Sequence, residues 1–254
     1  MLTAERHRKI LEELKEHRIV HSSELMEQFH VSKETIRRDL NLLEEQGLLR
    51  KVYGGAVLDR VDPSFSPFQD RIVRNPLQKE EIALLAARYV KESMSIAMDV
   101  STTNLAIARH LKKTFRHLTI LTNSLAIASE LMDAEDFTVI LTGGTLHRKE
   151  MAVNGDICRE NISRFHVDLY FLSCNGVSLT SGITDFGVDE VSTKRAILRH
   201  AKRVILVCTS DRFDVTSLLS VCDLHLPDCI ITDSQLSGHV RAVYESNHVR
   251  IVNS

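Results

Sequence analysis

The sequence predicts an α/β protein in two parts: a small helical domain with a β-wing, then a larger α/β domain built on a mostly parallel sheet. Three observations carry this reading. Residues 1–58 hold three amphipathic helical segments and an alternating stretch that turns on Gly54-Gly55. Three of the four prolines, Pro63, Pro67 and Pro76, then fall within fourteen residues. Clustered prolines interrupt helices and favour extended chain, which places a linker at 59–77. From 78 to 254, nearly continuous apolar strands alternate with helices, as in a parallel sheet covered on both faces.

Ile10, Leu11 and Leu14 at helical spacing set a first helix at 3–17, and Leu25, Met26 and Phe29 share one face of a second at 22–29. The third opens in "VSKETIRRDLNLLEEQGLL". Ser32 is a good N-cap, Val31 and Ile36 occupy the positions of a hydrophobic staple, and Ile36, Leu40 and Leu43 form the inward stripe. Gly47 supplies a left-handed stop. "LLRKVYGGAVL" reads as a two-stranded wing. Within the linker, Phe65, Phe68 and Ile72 suit a segment that docks on a surface.

Beyond it, a helix at 78–92 leads to the strand "SIAMD", a helix at 103–112 to "LTILTN", and one at 124–132 to "FTVILTGG". Further strands are "VDLYFLSCNG", "RVILVCTSD", "CIITD" and "VRIVN", with a helix at 189–201.

Composition narrows the function classes. Apolar residues are 43% and charged residues 26% of 254, the balance of a soluble protein with a sizeable core. No apolar run reaches the roughly 20 residues that span a bilayer, and "MLTAERHRKI" is too charged for a signal peptide, so a cytoplasmic location is expected. Five cysteines without a C-x-x-C pair read as reduced thiols rather than disulfides or metal ligands, and no cofactor or metal is expected. Net charge is −2, and the first 58 residues carry ten basic and ten acidic side chains. Any nucleic-acid reading must therefore rest on where the charges sit.

They sit on the third helix. With Ile36, Leu40 and Leu43 inward, the outward arc carries Glu34, Thr35, Arg38 and Asn41, flanked by Lys33 and Arg37. A capped helix start that projects Ser32, Lys33, Thr35 and Arg38 suits the major groove of double-stranded DNA, where N–H groups hold phosphates and Arg reaches guanine. Arg50 and Lys51 on the wing would add backbone contacts. A merely solvated face, with the basic residues balanced by Glu34, Glu44 and Glu45, is the competing reading. Three helices, a glycine stop and a basic wing in sequence favour DNA.

Residues 3–58, through "VSKETIRRDLNLLEEQGLLRKVYGGA", resemble the DNA-binding domain of DeoR-type sugar-operon regulators, with the helix-turn-helix at about 20–39. The resemblance continues in "IAMDVSTTN", "LTNSLAIASEL", "TGGTL", the Glu190/Lys194 segment and "CIITD". It implies a winged helix followed by a domain related to ribose-phosphate isomerase and coenzyme A transferases. It also implies an operator-binding homo-oligomer, more often a repressor than an activator, that responds to a phosphorylated sugar. "DVSTT" and "SCNG" look most like the fucose-operon branch, which points to a deoxysugar phosphate.

Ligands of open α/β sheets collect at the carboxyl ends of strands. There the chain places Asp99, then Ser101, Thr102 and Thr103 at a helix start, hydroxyls and N–H groups that would cradle a phosphate. Asp99 would accept hydrogen bonds from sugar hydroxyls. The same loop is also the pattern of an ordinary Ser/Thr cap. Asn123, Gly143, Gly144, Asn175 and Gly176 end other strands and would line the crevice. Lys194 and Arg212 would complete the phosphate site, although Lys194 fits a surface pair with Glu190 equally well. Two departures from the family pattern stand out: Ser101 replaces the usual glycine, and "TSDR" places Thr209 and Arg212 where Asp and Lys are usual. A competing class is a sugar-phosphate isomerase or deaminase fused to a DNA-binding domain, with Asp99, Asp185 and Glu190 as acid/base candidates. No catalytic motif arranges those three, and a sensor is the expectation.

Overall fold

A computed structural model describes residues 3–17, 19–45, 48–52, 54–57 and 67–253; Gly47 and the linker up to residue 66 lie outside them. The chain divides into two compact units, Met1–Ser66 and Pro67–Ser254.

In the first, helices α1 (Thr3–His17), α2 (Ser22–Phe29) and α3 (Lys33–Glu45) enclose Ile10, Leu14, Leu25, Phe29, Ile36, Leu40 and Leu43, all buried. The predicted cap is present: the Thr35 N–H donates to Ser32 Oγ at 3.3 Å. The wing has three strands rather than two. β1 (Ile19–His21) joins β2 (Arg50–Val52) and β3 (Gly55–Val57) in the order β1-β3-β2. A three-residue strand shows no periodicity in the sequence. Its trace is Gly55, where a Cβ would stand 2.0 Å from the Val20 carbonyl oxygen, so only glycine admits β1.

The second unit begins at Pro67, not at 78. Pro67 is the N-cap of α4 (Phe68–Ile72), and Pro76 is the first residue of α5 (Pro76–Ala87). Proline is favoured at a helix start because its missing N–H has no partner there anyway. These prolines open helices instead of holding the chain extended. Phe68 is fully buried in the core, and Lys79 Nζ donates to the carbonyls of Arg71 (2.6 Å) and Arg74 (2.5 Å), closing α4 from below.

Strands and helices then alternate: β4 (Ser95–Met98), α6 (Thr102–Thr114), β5 (Thr119–Thr122), α7 (Leu125–Glu130), β6 (Thr138–Leu141). A hairpin, β7 (Thr145–His147) and β8 (Ala152–Asn154), precedes α8 (Asp156–Ile162) and β9 (Leu169–Ser173). After β10 (Gly176–Ser178), β11 (Gly182–Asp185) and α9 (Val188–Leu198) come β12 (Val204–Val207), β13 (Leu219–Cys222), β14 (Cys229–Ile231), α10 (Gly238–Ser246) and β15 (Ile251–Val252). The main sheet is parallel throughout, in the order β15-β14-β12-β9-β4-β5-β6. Strand order reverses between β4 and β9, so the crevice lies beyond their carboxyl ends. Side chains alternate between two cores: Ile96, Met98, Leu169 and Phe171 face one, Ala97, Tyr170 and Leu172 the other. The hairpin and the antiparallel sheet β10-β11-β13 are absent from the sequence reading, because their strands are only three or four residues long. Among the described residues no helix is long and apolar enough to cross a membrane.

Removing the Phe68 ring tests the docking of α4. Phe68→Ala should cost about 3–5 kcal/mol in chemical denaturation of the second unit and speed amide exchange in α4. Unchanged stability would show that α4 is not anchored by this ring.

Candidate functional site

Two sets of side chains need placing, one in each unit. On α3, Asp39 points inward and accepts from Arg6 Nε (2.5 Å) and Arg6 Nη2 (2.9 Å), while His7 Nε2 lies 3.0 Å away. Burial alone pushes the Asp39 carboxyl up, but the hydrogen bonds from Arg6 and His7 outweigh it and hold it below its ordinary value. This ties α1 to α3 and sets the rotation of α3, so that the preceding Arg37 and Arg38 side chains stand 58% and 75% exposed.

The exposed arginines are not idle. Glu34 accepts from Arg37 Nε at 2.9 Å and Nη2 at 2.7 Å, and Arg38 Nε lies 3.5 Å from the same carboxylate. Ser32 Oγ and Thr35 Oγ1 are 3.0 Å apart, and Lys33 is exposed beside them. Lys51 Nζ donates to Asn41 Oδ1, and the Lys51 N–H donates to Glu44 at 2.8 Å, locking the wing to α3. The structure thus groups Ser32, Lys33, Thr35, Arg37, Arg38, Asn41 and Lys51 on one face; of Arg50 it describes only the backbone in β2.

In the second unit the reversal of strand order places Asp99, after β4, against Ser173, the last residue of β9. Asp99 is 1% exposed, and its carboxylate accepts from Tyr170 Oη (2.6 Å), Ser173 N (2.9 Å), Ser173 Oγ (2.6 Å) and Asn104 Nδ2 (3.0 Å). These correct the expected role: with four donors from the protein, Asp99 holds the site together instead of receiving sugar hydroxyls. Tyr170 is correspondingly pushed well up, first by burial and then by Asp99.

Lys194 is also internal. It is 2% exposed; Nζ donates to Ser173 O (2.9 Å), Ser173 Oγ (3.1 Å) and Asp185. Burial would lower its pKa, but Asp185, Asp99 and Glu190 raise it above its ordinary value. Neither the surface pair with Glu190 nor a free cation for phosphate describes it. Asn175 donates to Asp185, and Asn123 accepts from Val100 N (3.1 Å) while donating to Asn154 (2.9 Å). Gly144 and Gly176 serve packing: a Cβ on either would stand 2.4 Å from a backbone oxygen, of Asn154 and Val215 respectively. Gly143 has φ +72°, and Arg212 Nη1 lies 3.4 Å from the Asn175 carbonyl.

The N-terminus of α6 is a capped helix start. Ser101 Oγ accepts from Asn104 N at 2.9 Å, so Ser101 is the helix cap and retains one O–H to donate. First-turn N–H groups have no intrahelical partner. Thr103 is nearly buried, but Thr102 is half-exposed and lines a cavity of about 370 Å³ together with Lys79 and Arg109. Lys79 was missed by sequence reasoning, which gave its helix no polar task. Burial, then repulsion from Arg71 and Arg212, brings its pKa down to about 8.

Two further residues are acidic: Glu150, which sequence reasoning missed, and Glu190, which it named. Glu150 pairs with Arg71, whose guanidinium also stacks on Phe68 at 5.6 Å. Glu190 is half-buried, folded back so that its carboxyl carbon lies 3.2 Å from where a Cβ on Gly187 would stand. Burial, with repulsion from Asp185 only partly offset by Lys194, pushes Glu190 up to about 7. Asn154 Nδ2 is buried without a hydrogen-bond partner beside this network.

Residues 74–234 match the family described as DeoR C terminal sensor domain, and residues 6–61 match the DeoR-like helix-turn-helix domain. The chain is 36% identical over 245 residues to the HTH-type transcriptional regulator GolR of Listeria innocua, covering 96% of this chain and 95% of that one. It is 34% identical over 254 residues to the glycerol-3-phosphate regulon repressor of Escherichia coli, covering 99% of each. A solved structure of ribose 5-phosphate isomerase A from Methanocaldococcus jannaschii aligns with 55% of each chain at TM-score 0.42 and 15% identity.

The raised Glu190 gives a pH signature. The native state holds a proton that the unfolded state, with an ordinary carboxyl pKa near 4.5, has released, so stability should fall as pH rises from about 4.5 to about 7. Glu190→Gln should remove this loss and raise the thermal midpoint at neutral pH. Identical pH–stability profiles for the two proteins would place Glu190 outside the network.

Proposed function

We propose, from the premise that this chain belongs to the DeoR family of transcriptional regulators, that it represses a sugar-catabolic operon and is controlled by a phosphorylated sugar. The residues that would read DNA are Ser32, Lys33, Thr35, Arg37 and Arg38 on α3, with Asn41, Arg50 and Lys51 at the wing. As a DNA-binding protein it would act in the cytoplasm, beside the chromosome.

One observation carries the ligand half of the reading. The capped N-terminus of α6 stands at the reversal of strand order, and Thr102 there shares a cavity with the buried cation Lys79. N–H groups and a hydroxyl are donors that a phosphate monoester needs, and Lys79 adds positive charge nearby, its ammonium donating to the carbonyls of Arg71, Ile72 and Arg74. The glycerol-3-phosphate regulon repressor of Escherichia coli carries a phosphate monoester in the name of its regulon. The enzyme alternative draws less support, since Asp99 and Asp185 are committed to hydrogen bonds within the protein.

The test uses duplexes that the full-length protein itself enriches from a randomised library. Binding is titrated with sugar and polyol phosphates, deoxysugars included, each beside its unphosphorylated parent. A phosphorylated member should change DNA affinity about 5- to 150-fold, the range of ordinary allosteric coupling. Thr102→Asp should abolish the response through charge repulsion and leave DNA binding intact. Equal responses to a phosphate and its parent would reduce the α6 terminus to a helix cap.

One winged helix reads too few bases to find a site in a genome, so the active species should be a homo-oligomer on repeated half-sites. Light scattering at micromolar concentration should give a mass above the 28.8 kDa monomer. A monomer that still binds one half-site tightly would overturn this.

A further inference from the structure

Glu34 is the one exposed acidic side chain in the first two turns of α3, Asp39 being buried, and it occupies the centre of the arc that would face DNA. An isolated carboxylate there would repel phosphates. This one holds the Nε/Nη2 edge of Arg37 through two parallel bonds, 2.9 and 2.7 Å long, and lies 3.5 Å from Arg38 Nε. The edge so occupied is one that Arg uses for a guanine or a phosphate. While the pair persists, Arg37 is a support, and Arg38, the more exposed of the two, is left to reach bases.

We propose that Glu34, held by Arg37, is a specificity-determining residue of α3 that requires a base with an exocyclic amino group, cytosine N4 or adenine N6, in the major groove. The proposal rests on the DNA-binding reading above and deepens it. A carboxylate only accepts hydrogen bonds. Against an amino group it gains a charge-assisted bond, whereas against thymine O4 or guanine O6 it meets another acceptor and loses its water without replacement. The Arg37 hydrogen bonds also hold the Glu34 carboxyl below its ordinary range. A solvated ion pair on an exposed face is the alternative, and such pairs contribute little on their own.

The experiment compares wild type, Glu34→Gln and Glu34→Ala as full-length proteins, using a randomised duplex library and a mixed-sequence 30-base-pair duplex. Wild type should enrich cytosine or adenine at one position of each half-site. Glu34→Ala should lose about 5- to 150-fold discrimination at that position alone, the cost of one mismatched base pair. Its binding to the mixed-sequence duplex should tighten, and the slope of log K against log salt should steepen by about 0.9 as the freed Arg37 takes a phosphate. Glu34→Gln, which keeps the reach and adds a donor, should move the preference to adenine if wild type selects cytosine. Thermal midpoints close to wild type would show that the fold is kept. If both variants enrich the wild-type sequence with the wild-type salt slope, the pair is only solvated and the proposal fails. If wild type enriches nothing, the DNA-binding reading fails with it.

Discussion

The sensor unit depends on one carboxylate. Asp99 ends the central strand β4, and its four hydrogen bonds reach β9 through Tyr170 and Ser173 and reach α6 through Asn104. Ser173 passes the link to Lys194 on α9, and Lys194 passes it to Asp185 on β11. A buried carboxylate is costly unless every lone pair is engaged, and removing one partner of such a pair typically costs about 3–5 kcal/mol. The network therefore admits few arrangements. It fixes the start of α6, and with it the position of the N–H groups on which phosphate recognition would rest.

Ion pairs are used differently in the two units. Arg6–Asp39 and Lys194–Asp185 are buried and set the rotation of helices. Arg37–Glu34 is exposed on both sides and positions a carboxylate that remains open to solvent. The same distinction separates residues that hold a site from residues that meet a ligand. Asp99, Asn123, Asn175 and Lys194 belong to the first kind; under the proposed function, Thr102 and Arg38 would belong to the second.

Much of the fold was legible in the sequence where apolar residues repeat. The three N-terminal helices and the apolar strands of the parallel sheet each bury a stripe long enough to show its period. Short elements were not legible. β1 and the β7–β8 hairpin have three residues per strand, and only a crowded glycine such as Gly55 records their neighbours. Prolines misled because Pro67 and Pro76 open helices, a use that looks in sequence like an extended linker. The site was legible as a set of residue types at strand ends. Which of them face inward was not, since a carboxylate that braces a core and one that greets a sugar are written with the same letter. Lys79 was hidden for another reason, as one polar residue among Gln78, Glu80 and Glu81 at a helix start.

Lys79 also shows where ligand chemistry and chain geometry meet. Its ammonium donates to the carbonyls of Arg71 and Arg74 at the end of α4, and its side chain lines the cavity that Thr102 enters. Helix α4 is the first element of the sensor unit, anchored by Phe68 and by the Arg71–Glu150 pair. The ammonium donates to the carbonyls of Arg71, Ile72 and Arg74, so an anion drawing on it would compete with the carboxyl end of α4. A ligand changes DNA binding only as far as it binds two arrangements of the protein with different affinity. Such competition for one ammonium would be a physical basis for a difference of this kind, because a proton directed to an anion is withdrawn from the carbonyls that hold the end of α4.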